Sequence, residues 1–180
     1  ETMKGLPVGE RILLSLFQSV TTRTAGFATV PQQNLTVSSS VLSLLLMFIG
    51  GSPVGTAGGI KTVTFAVLAA SAVSVIKNKN DVNMFGRRIS ISAVRKASAV
   101  AAVSFMIAFL SSLLLSCVTN APALDIFYET VSASATVGLS RNLTSSLNTA
   151  GKFIIAFTMY LGRVGPISLA IAITGKTKNE

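Results

Sequence analysis

Long apolar stretches separated by short polar segments organise this sequence. Residues 97–118 contain no charge over twenty-two positions, close to the roughly 20 that a helix needs to cross about 30 Å of hydrocarbon. Residues 153–174 form a second apolar stretch, interrupted near its centre by Arg163 and by two glycines and a proline. The pattern predicts a transmembrane helix in each stretch.

Residues 37–76 form an apolar stretch that is too long for one membrane crossing. An unbroken helix of these forty residues would rise roughly 60 Å, about twice the hydrocarbon thickness. The segment GGSPVGTAGG, residues 50–59, holds five glycines and a proline, and both residue types disfavour helix interiors. We therefore predict a helix that breaks within residues 50–59.

Two shorter apolar stretches, residues 12–20 and 123–135, cannot cross a membrane as helices. Each is followed by a glycine flanked by small or β-branched residues, in TTRTAGF and in SATVGLS. Irregular backbone at membrane depth is tolerated only where protein buries it or where it lines a water-filled path. The pattern predicts two re-entrant helices, the first ending at Thr21, where the chain turns inside the membrane.

The two loops belong to an internal repeat. An offset of 112 residues aligns Thr24, Ala25 and Gly26 with Thr136, Val137 and Gly138, and Gly50 with Gly162. Two predicted crossings separate the copies, so the copies share one orientation and are related by an axis along the membrane normal. Parallel copies of a short helix, a glycine loop and a lining helix suit the wall of a central pore.

Composition places the chain in a bilayer and removes most catalytic chemistry. Half of the residues are hydrophobic, 12% are charged and the mean hydropathy is +0.67, whereas soluble domains carry about a quarter charged residues. The chain has no histidine and one cysteine, Cys117, so a zinc cluster, a disulfide framework and histidine acid/base catalysis all lack their residues. We therefore do not expect an enzyme.

The net charge of +9 comes largely from basic residues between and after the apolar stretches. Six of them lie in residues 77–96 beside one acid, Asp81. Excess lysine and arginine marks cytoplasmic loops, and these residues are not interleaved with aromatics as nucleic-acid binding would favour. We expect a cytoplasmic face here, near anionic lipid headgroups or a partner, and no nucleic acid.

The glycine loops have the composition of a cation filter. Backbone carbonyls replace the water shell of potassium in known filters without any formal charge, and glycine adopts the backbone angles that turn successive carbonyls toward one axis. One Thr-x-Gly alone is equally typical of a helix end followed by a loop. Two copies at matched spacing favour a filter.

The segments SVTTRTAGF, GGSPVGTAGGIK, SATVGLS and YLGRVGP resemble the C-terminal half of the Trk/Ktr/HKT superfamily of potassium transporters, most closely the membrane subunit of bacterial Ktr systems. The resemblance implies an all-α membrane protein in which M1-P-M2 repeats, with re-entrant pore helices and filter loops, surround a pseudo-fourfold pore. Residues 1–80 would be the third repeat without its first helix, 81–96 a cytoplasmic basic linker and 97–180 the fourth repeat. Because family members carry four repeats on one chain, we expect this chain to be a fragment whose partner is the missing N-terminal half.

The resemblance also implies a function and its residues. Potassium would be taken up through a filter of backbone carbonyls and past an intramembrane gate loop. The implied filter residues are Thr24, Ala25, Gly26, Thr136, Val137 and Gly138; the implied gate residues are Gly50, Gly51, Ser52, Gly55, Thr56, Gly58, Gly59, Lys61 and Arg163. The full potassium-channel filter sequence is absent, so potassium selectivity over sodium, and sodium as a coupling or activating ion, stay open.

The implied setting is the cell membrane, crossed several times by a homodimer of complete four-repeat subunits. A cytoplasmic ring of nucleotide-binding regulator-of-potassium-conductance domains would lie beneath it. Two other functions remain open on the residues alone: an alternating-access cation carrier, for which inverted repeats would be expected, and a non-conducting membrane assembly segment.

Several charged residues carry alternative interpretations. Arg163, deep in its span, faces either an ion path or a partner that only holds helices together. Lys61 is either a cytoplasmic-side anchor or part of the gate. Asp125 and Glu129 either attract cations at the mouth or stabilise the pore helix. The arginines that border the filter sequences, Arg23 and Arg141, are expected to face solvent.

Overall fold

A computed structural model describes residues 5–52, 58–78, 81–84 and 86–165. Within them the chain forms seven α-helices, one 3-10 turn and one two-stranded sheet. In chain order the elements are α1 (Val8–Thr21), the 3-10 turn (Gln32–Asn34), α2 (Val37–Phe48), α3 (Thr62–Ile76), β1 (Asn83–Met84), β2 (Arg87–Arg88), α4 (Ile91–Val118), α5 (Ala123–Ser134), α6 (Leu143–Ser146) and α7 (Thr149–Val164).

The two short helices of the repeat, α1 and α5, are built alike. Each begins directly after a proline, Pro7 or Pro122, whose fixed φ suits a helix start. They contain 14 and 12 residues, fewer than the roughly 20 that a crossing requires. The helix α1 ends at Thr21, as the sequence predicts.

The long apolar stretch is divided as predicted. The helix α2 ends at Phe48 and α3 begins at Thr62. The two chain segments at the break lie side by side, because the Ile60 amide donates to the Phe48 carbonyl at 3.1 Å and the Thr62 amide donates to the Gly51 carbonyl at 3.4 Å. We call residues 48–51 and 58–62 the neck.

The helix α4 begins six residues before the predicted span, at Ile91 instead of residue 97. Ser90 caps it, since its hydroxyl accepts from the Ala93 amide at 3.3 Å. Arg95 and Lys96, which immediately precede the predicted span, therefore lie within this helix. The helix extends beyond the predicted span because a charge ends an apolar stretch without ending a helix.

The basic linker is partly ordered by a short antiparallel pairing of β1 with β2. Gly86, with φ +74°, lies in the turn between the strands. Asp81 forms an exposed ion pair with Arg88 at 2.7 Å, and its carbonyl accepts from the Ser74 hydroxyl at 2.8 Å. These contacts join the linker to the end of α3.

Helices α4, α5 and α7 pack against one another, α3 packs on α4 and α2 packs on α5. A close approach of α7 to α5 is made at Gly162, where an added Cβ would collide with the Ser134 carbonyl at the end of α5. Small residues at such a crossing let two backbones meet in a membrane. The glycine that the repeat aligns with Gly50 thus sets the distance between α7 and α5.

One helix within the described residues, α4, is long and apolar enough to cross a membrane; α2 and α3 are shorter apolar helices. The second predicted span, residues 153–174, is described only in part. The helix α7 continues through Gly162 and ends at Val164, followed by Gly165 with φ +84°. The remainder of that span lies outside the described residues.

Candidate functional site

The two Thr-x-Gly loops have the same backbone conformation. Thr24 and Gly26 have φ +69° and +75°, and Thr136 and Gly138 have φ +56° and +88°, while the residue between each pair has negative φ. A β-branched residue at positive φ is a genuine outlier, and such strain persists only where the surroundings hold it. The repeat seen in the sequence is therefore a repeat of an unusual backbone geometry.

The loops lie against each other. An added Cβ on Gly26 would collide with the carbonyl oxygen of Val137, and one on Gly138 would lie 4.0 Å from the Gly26 Cα. The Val137 side chain is buried behind its loop, in a cluster with Met47, Tyr128, Ala135 and Leu139. The second loop thus anchors its central side chain in the core and keeps Gly138 exposed.

Side chains at the preceding helix ends close the first loop. The Thr21 hydroxyl donates to the Phe27 carbonyl at 2.6 Å, and the Thr22 hydroxyl donates to the Ser19 carbonyl at 2.8 Å. Both threonines are buried. The threonine-rich composition of the segment thus supplies hydroxyls that replace the helical hydrogen bonds lost at the turn.

The predicted gate residues are divided between the neck and α7. Gly50, Gly51, Gly58 and Gly59 lie in the neck with Lys61, which directly precedes α3. Ser52 follows the first neck segment, and Gly55 and Thr56 lie outside the described residues. Arg163 lies in the last turn of α7 with an exposed side chain. The neck and α7 both contact the turn that precedes the second loop, because Gly59 lies against Ala135 and Gly162 lies against Ser134.

Arg23 reaches the neck, which corrects its expected position facing solvent. Its Nη1 donates to the carbonyls of Ile49 and Gly50, both at 3.3 Å. The side chain comes from the residue just before the first Thr-x-Gly. On the other side of the neck, the Gly58 amide donates to the Thr136 hydroxyl at 3.1 Å. Each loop therefore contacts one segment of the neck.

Arg141 is also not a solvent-facing residue, since its side chain is only 11% exposed. Its Nε donates to Asp125 at 2.6 Å, and its Nη1 donates to the Gln32 carbonyl and the Ser40 hydroxyl at 2.8 and 2.7 Å. The guanidinium also lies 5.8 Å from the centre of the Tyr128 ring. The expectation failed because two of these partners, Gln32 and Ser40, are about a hundred residues distant in sequence.

The two acids of α5 have structural partners, which favours the second of their two interpretations. Asp125 pairs with Arg141. Glu129 is buried and accepts from the hydroxyls of Ser140 and Thr144. Both carboxylates thus hold the segment that follows the second loop against α5.

Gln32, which the sequence did not single out, connects the two repeats. It is 3% exposed, and its Oε1 accepts from the Tyr128 hydroxyl at 2.9 Å and from Gln18 Nε2 at 2.7 Å. Its side-chain Nε2 donates to the Val30 carbonyl at 2.8 Å. Lone polar residues inside apolar stretches, as Gln18 and Tyr128 are, offer the signal that could have found this network, since each needs a partner in a membrane.

Comparison with known proteins identifies the family of this chain. The family model TrkH, described as a cation transport protein, matches residues 1–179. The "Ktr system potassium uptake protein B" of Bacillus subtilis is 40% identical over 171 residues, which cover 95% of this chain and 38% of that protein. The protein of the same name from Vibrio alginolyticus is 38% identical, over 94% of this chain and 37% of that protein. The "Potassium/sodium uptake protein NtpJ" of Enterococcus hirae is 34% identical, over 93% of this chain and 38% of that protein.

The chain thus spans well under half the length of these relatives. The match to the family model nevertheless extends from the helix α1 through both Thr-x-Gly loops to α7. On this match, the chain belongs to the TrkH family of cation transport proteins.

Proposed function

We propose that this chain is the C-terminal half of a potassium uptake protein and forms two of four units around an ion pathway. In this assignment residues 1–80 are the third repeat, with α1 as its pore helix and α2 and α3 as its broken lining helix. Residues 81–96 are the cytoplasmic linker, and residues 97–180 are the fourth repeat, with α4, α5 and α7 as its outer, pore and lining helices.

The observation that carries the proposal is the shared conformation of the two loops. Positive φ at Thr24, Gly26, Thr136 and Gly138 supports a filter in which backbone carbonyls from both repeats coordinate potassium as a transported ion. The contact of Gly26 with Val137 supports a common axis for the two loops. The parallel orientation of the repeats favours such a pore over an alternating-access carrier.

The gate is the finer part of the proposal. The broken lining helix would present the glycine-rich segment of residues 50–59 below the filter, with Arg163 opposite it. Its support is that the neck and Gly162 both contact the turn that precedes Thr136. A guanidinium at this depth repels potassium and can donate up to five hydrogen bonds to loop carbonyls.

The proposed setting follows from the family. The complete protein would cross the cell membrane several times as a homodimer, with the basic linker facing a nucleotide-binding cytoplasmic ring or anionic lipid headgroups. Sodium would act as a coupling or activating ion on the same pathway.

An uptake assay tests the function directly. The full-length protein, produced in cells that lack other potassium uptake systems, is expected to restore growth at low external potassium and to accelerate rubidium or potassium entry. A correctly inserted protein that restores neither growth nor entry would identify the chain as a non-conducting assembly segment.

The gate makes a separate prediction. Arg163→Gln in the full-length protein should raise the maximal uptake rate several-fold and leave the apparent potassium affinity nearly unchanged, because a positive charge on the path is removed below the filter. Initial rates over a range of potassium concentrations measure both quantities. Lys152→Gln, an exposed lysine at the other end of α7, is the matched control and should change neither. A lower rate in Arg163→Gln would make Arg163 an anchor between helices.

A further inference from the structure

The neck connects two loops that are more than a hundred residues apart in sequence. Its first segment is held by Arg23, one residue before the first Thr-x-Gly, through the carbonyls of Ile49 and Gly50. Its second segment is held by Thr136, the first residue of the second Thr-x-Gly, through the amide of Gly58.

The two segments of the neck are themselves bonded together. The Ile60 amide donates to the Phe48 carbonyl, and Ile49 and Ile60 form a β-bridge. Gly50 is in such close contact with the Gly58 carbonyl that an added Cβ would collide with it. Because the segments are joined, displacement of one displaces the other.

Gly58 is tightly packed against Thr136 as well as hydrogen-bonded to it. A Cβ on Gly58 would collide with the Thr136 hydroxyl and lie 2.6 Å from the Ala135 carbonyl. Thr136 has φ +56°, an angle that a threonine keeps only when its surroundings hold it. The neck therefore forms part of the support that keeps the second loop in its strained conformation.

We propose that Arg23 and the hydroxyl of Thr136 are positioning residues through which the neck sets the ion selectivity of both loops. This inference rests on the proposed function, since it assigns the selectivity of that filter to a part of the lining helix outside the two Thr-x-Gly loops. The neck then determines two properties: passage below the filter and discrimination within it.

The decisive variant removes the hydroxyl and keeps the shape. Thr136→Val in the full-length protein leaves the Gly58 amide without its acceptor and should lower potassium-over-sodium discrimination about fivefold, the factor that corresponds to one ordinary hydrogen bond. Thr136→Ser keeps the hydroxyl and should retain discrimination. The measurement is sodium competition against rubidium uptake. Thr158→Val is the control, because Thr158 is a buried threonine whose hydroxyl bonds, among the described residues, to Ile154 within α7 and to Ser111.

The other side of the neck gives an independent test without touching either Thr-x-Gly. Arg23→Gln should lower discrimination by a similar factor, and the double variant with Thr136→Val should lose less than the product of the two factors, because both release one shared support. If Thr136→Val is not inserted, Arg23→Gln decides alone. Discrimination retained in Arg23→Gln and Thr136→Val, with only the rate altered, would overturn the proposal.

This failure is distinguishable from failure of the function itself. If Gly26→Ser and Gly138→Ser alter discrimination while the neck variants do not, the filter stands and the role of the neck is wrong. If none of the four variants alters discrimination, the loops are not the filter, and the inference fails with the proposed function.

Discussion

Gly26→Ser in the full-length protein is expected to reduce potassium-over-sodium discrimination about a hundredfold, and Gly138→Ser about tenfold. A left-handed conformation costs a residue with a Cβ about 1–2 kcal/mol, and both glycines have it, at φ +75° and +88°. Only at Gly26 does the added Cβ also collide, with the Val137 carbonyl that faces it; relieving such overpacking typically costs about 1–3 kcal/mol more. Potassium uptake in the presence of increasing sodium measures both effects.

Gly86→Ser supplies the matched control, because Gly86 has φ +74° with no atom within 4 Å of an added Cβ and lies in the linker. It should carry the backbone strain without a change in ion discrimination. Unchanged potassium and sodium affinities in both loop variants would remove the filter assignment. Equal effects at Gly26 and Gly138 would mean that the two loops do not face each other as closely as the structure has them.

Arg141→Met is expected to lower the free energy of unfolding by about 3 kcal/mol, which is the lower limit for breaking a buried ion pair. The variant leaves Asp125 without its cation, and it leaves the Gln32 carbonyl and the Ser40 hydroxyl without a donor. The lower limit applies because the Asp125 side chain is 25% exposed. The loss is measured as a lower unfolding temperature of the full-length protein in detergent, with size-exclusion chromatography used to monitor unfolding.

Arg88→Met provides the comparison, since Arg88 and Asp81 form a pair of similar length, 2.7 Å, with the Arg88 side chain 69% exposed. Exposed pairs contribute about 0–1 kcal/mol, so this variant should unfold at nearly the wild-type temperature. Adding Asp125→Asn to Arg141→Met should recover part of the stability, because the orphaned charge is then removed. Similar losses in the two single variants would show that Arg141 is solvated and does not connect the repeats.

The contrast between Arg23 and Arg163 shows how far sequence reasoning reaches toward the site. The repeat aligns Arg163 with Gly51, and the gate role that this alignment suggests for Arg163 stays a prediction. Arg23, for which the sequence suggested exposure to solvent, donates hydrogen bonds to the neck carbonyls of Ile49 and Gly50. An alignment of repeats relates equivalent positions, but it cannot tell which neighbouring repeat a long side chain reaches.

By itself, the sequence determined the features that depend on local physics. Hydropathy and length predicted the apolar helix α4; glycine and proline content predicted the break between α2 and α3; and the matched Thr-x-Gly segments predicted two equivalent turns, the first beginning after Thr21. These outcomes follow from the backbone preferences of a few neighbouring residues and from the thickness of a bilayer. They require no knowledge of what each residue touches.

Only the tertiary structure decided how these elements are held together. The Arg141 contacts, the Gln32 network and the bonds of the neck to both loops join residues from 14 to 109 positions apart. A hydrogen bond has a short range and a strict geometry, so its partner is fixed by the packing of α2, α5 and α7 and not by the composition around it. For the same reason, two arginines that border the loops are structural connections instead of solvent-facing charges.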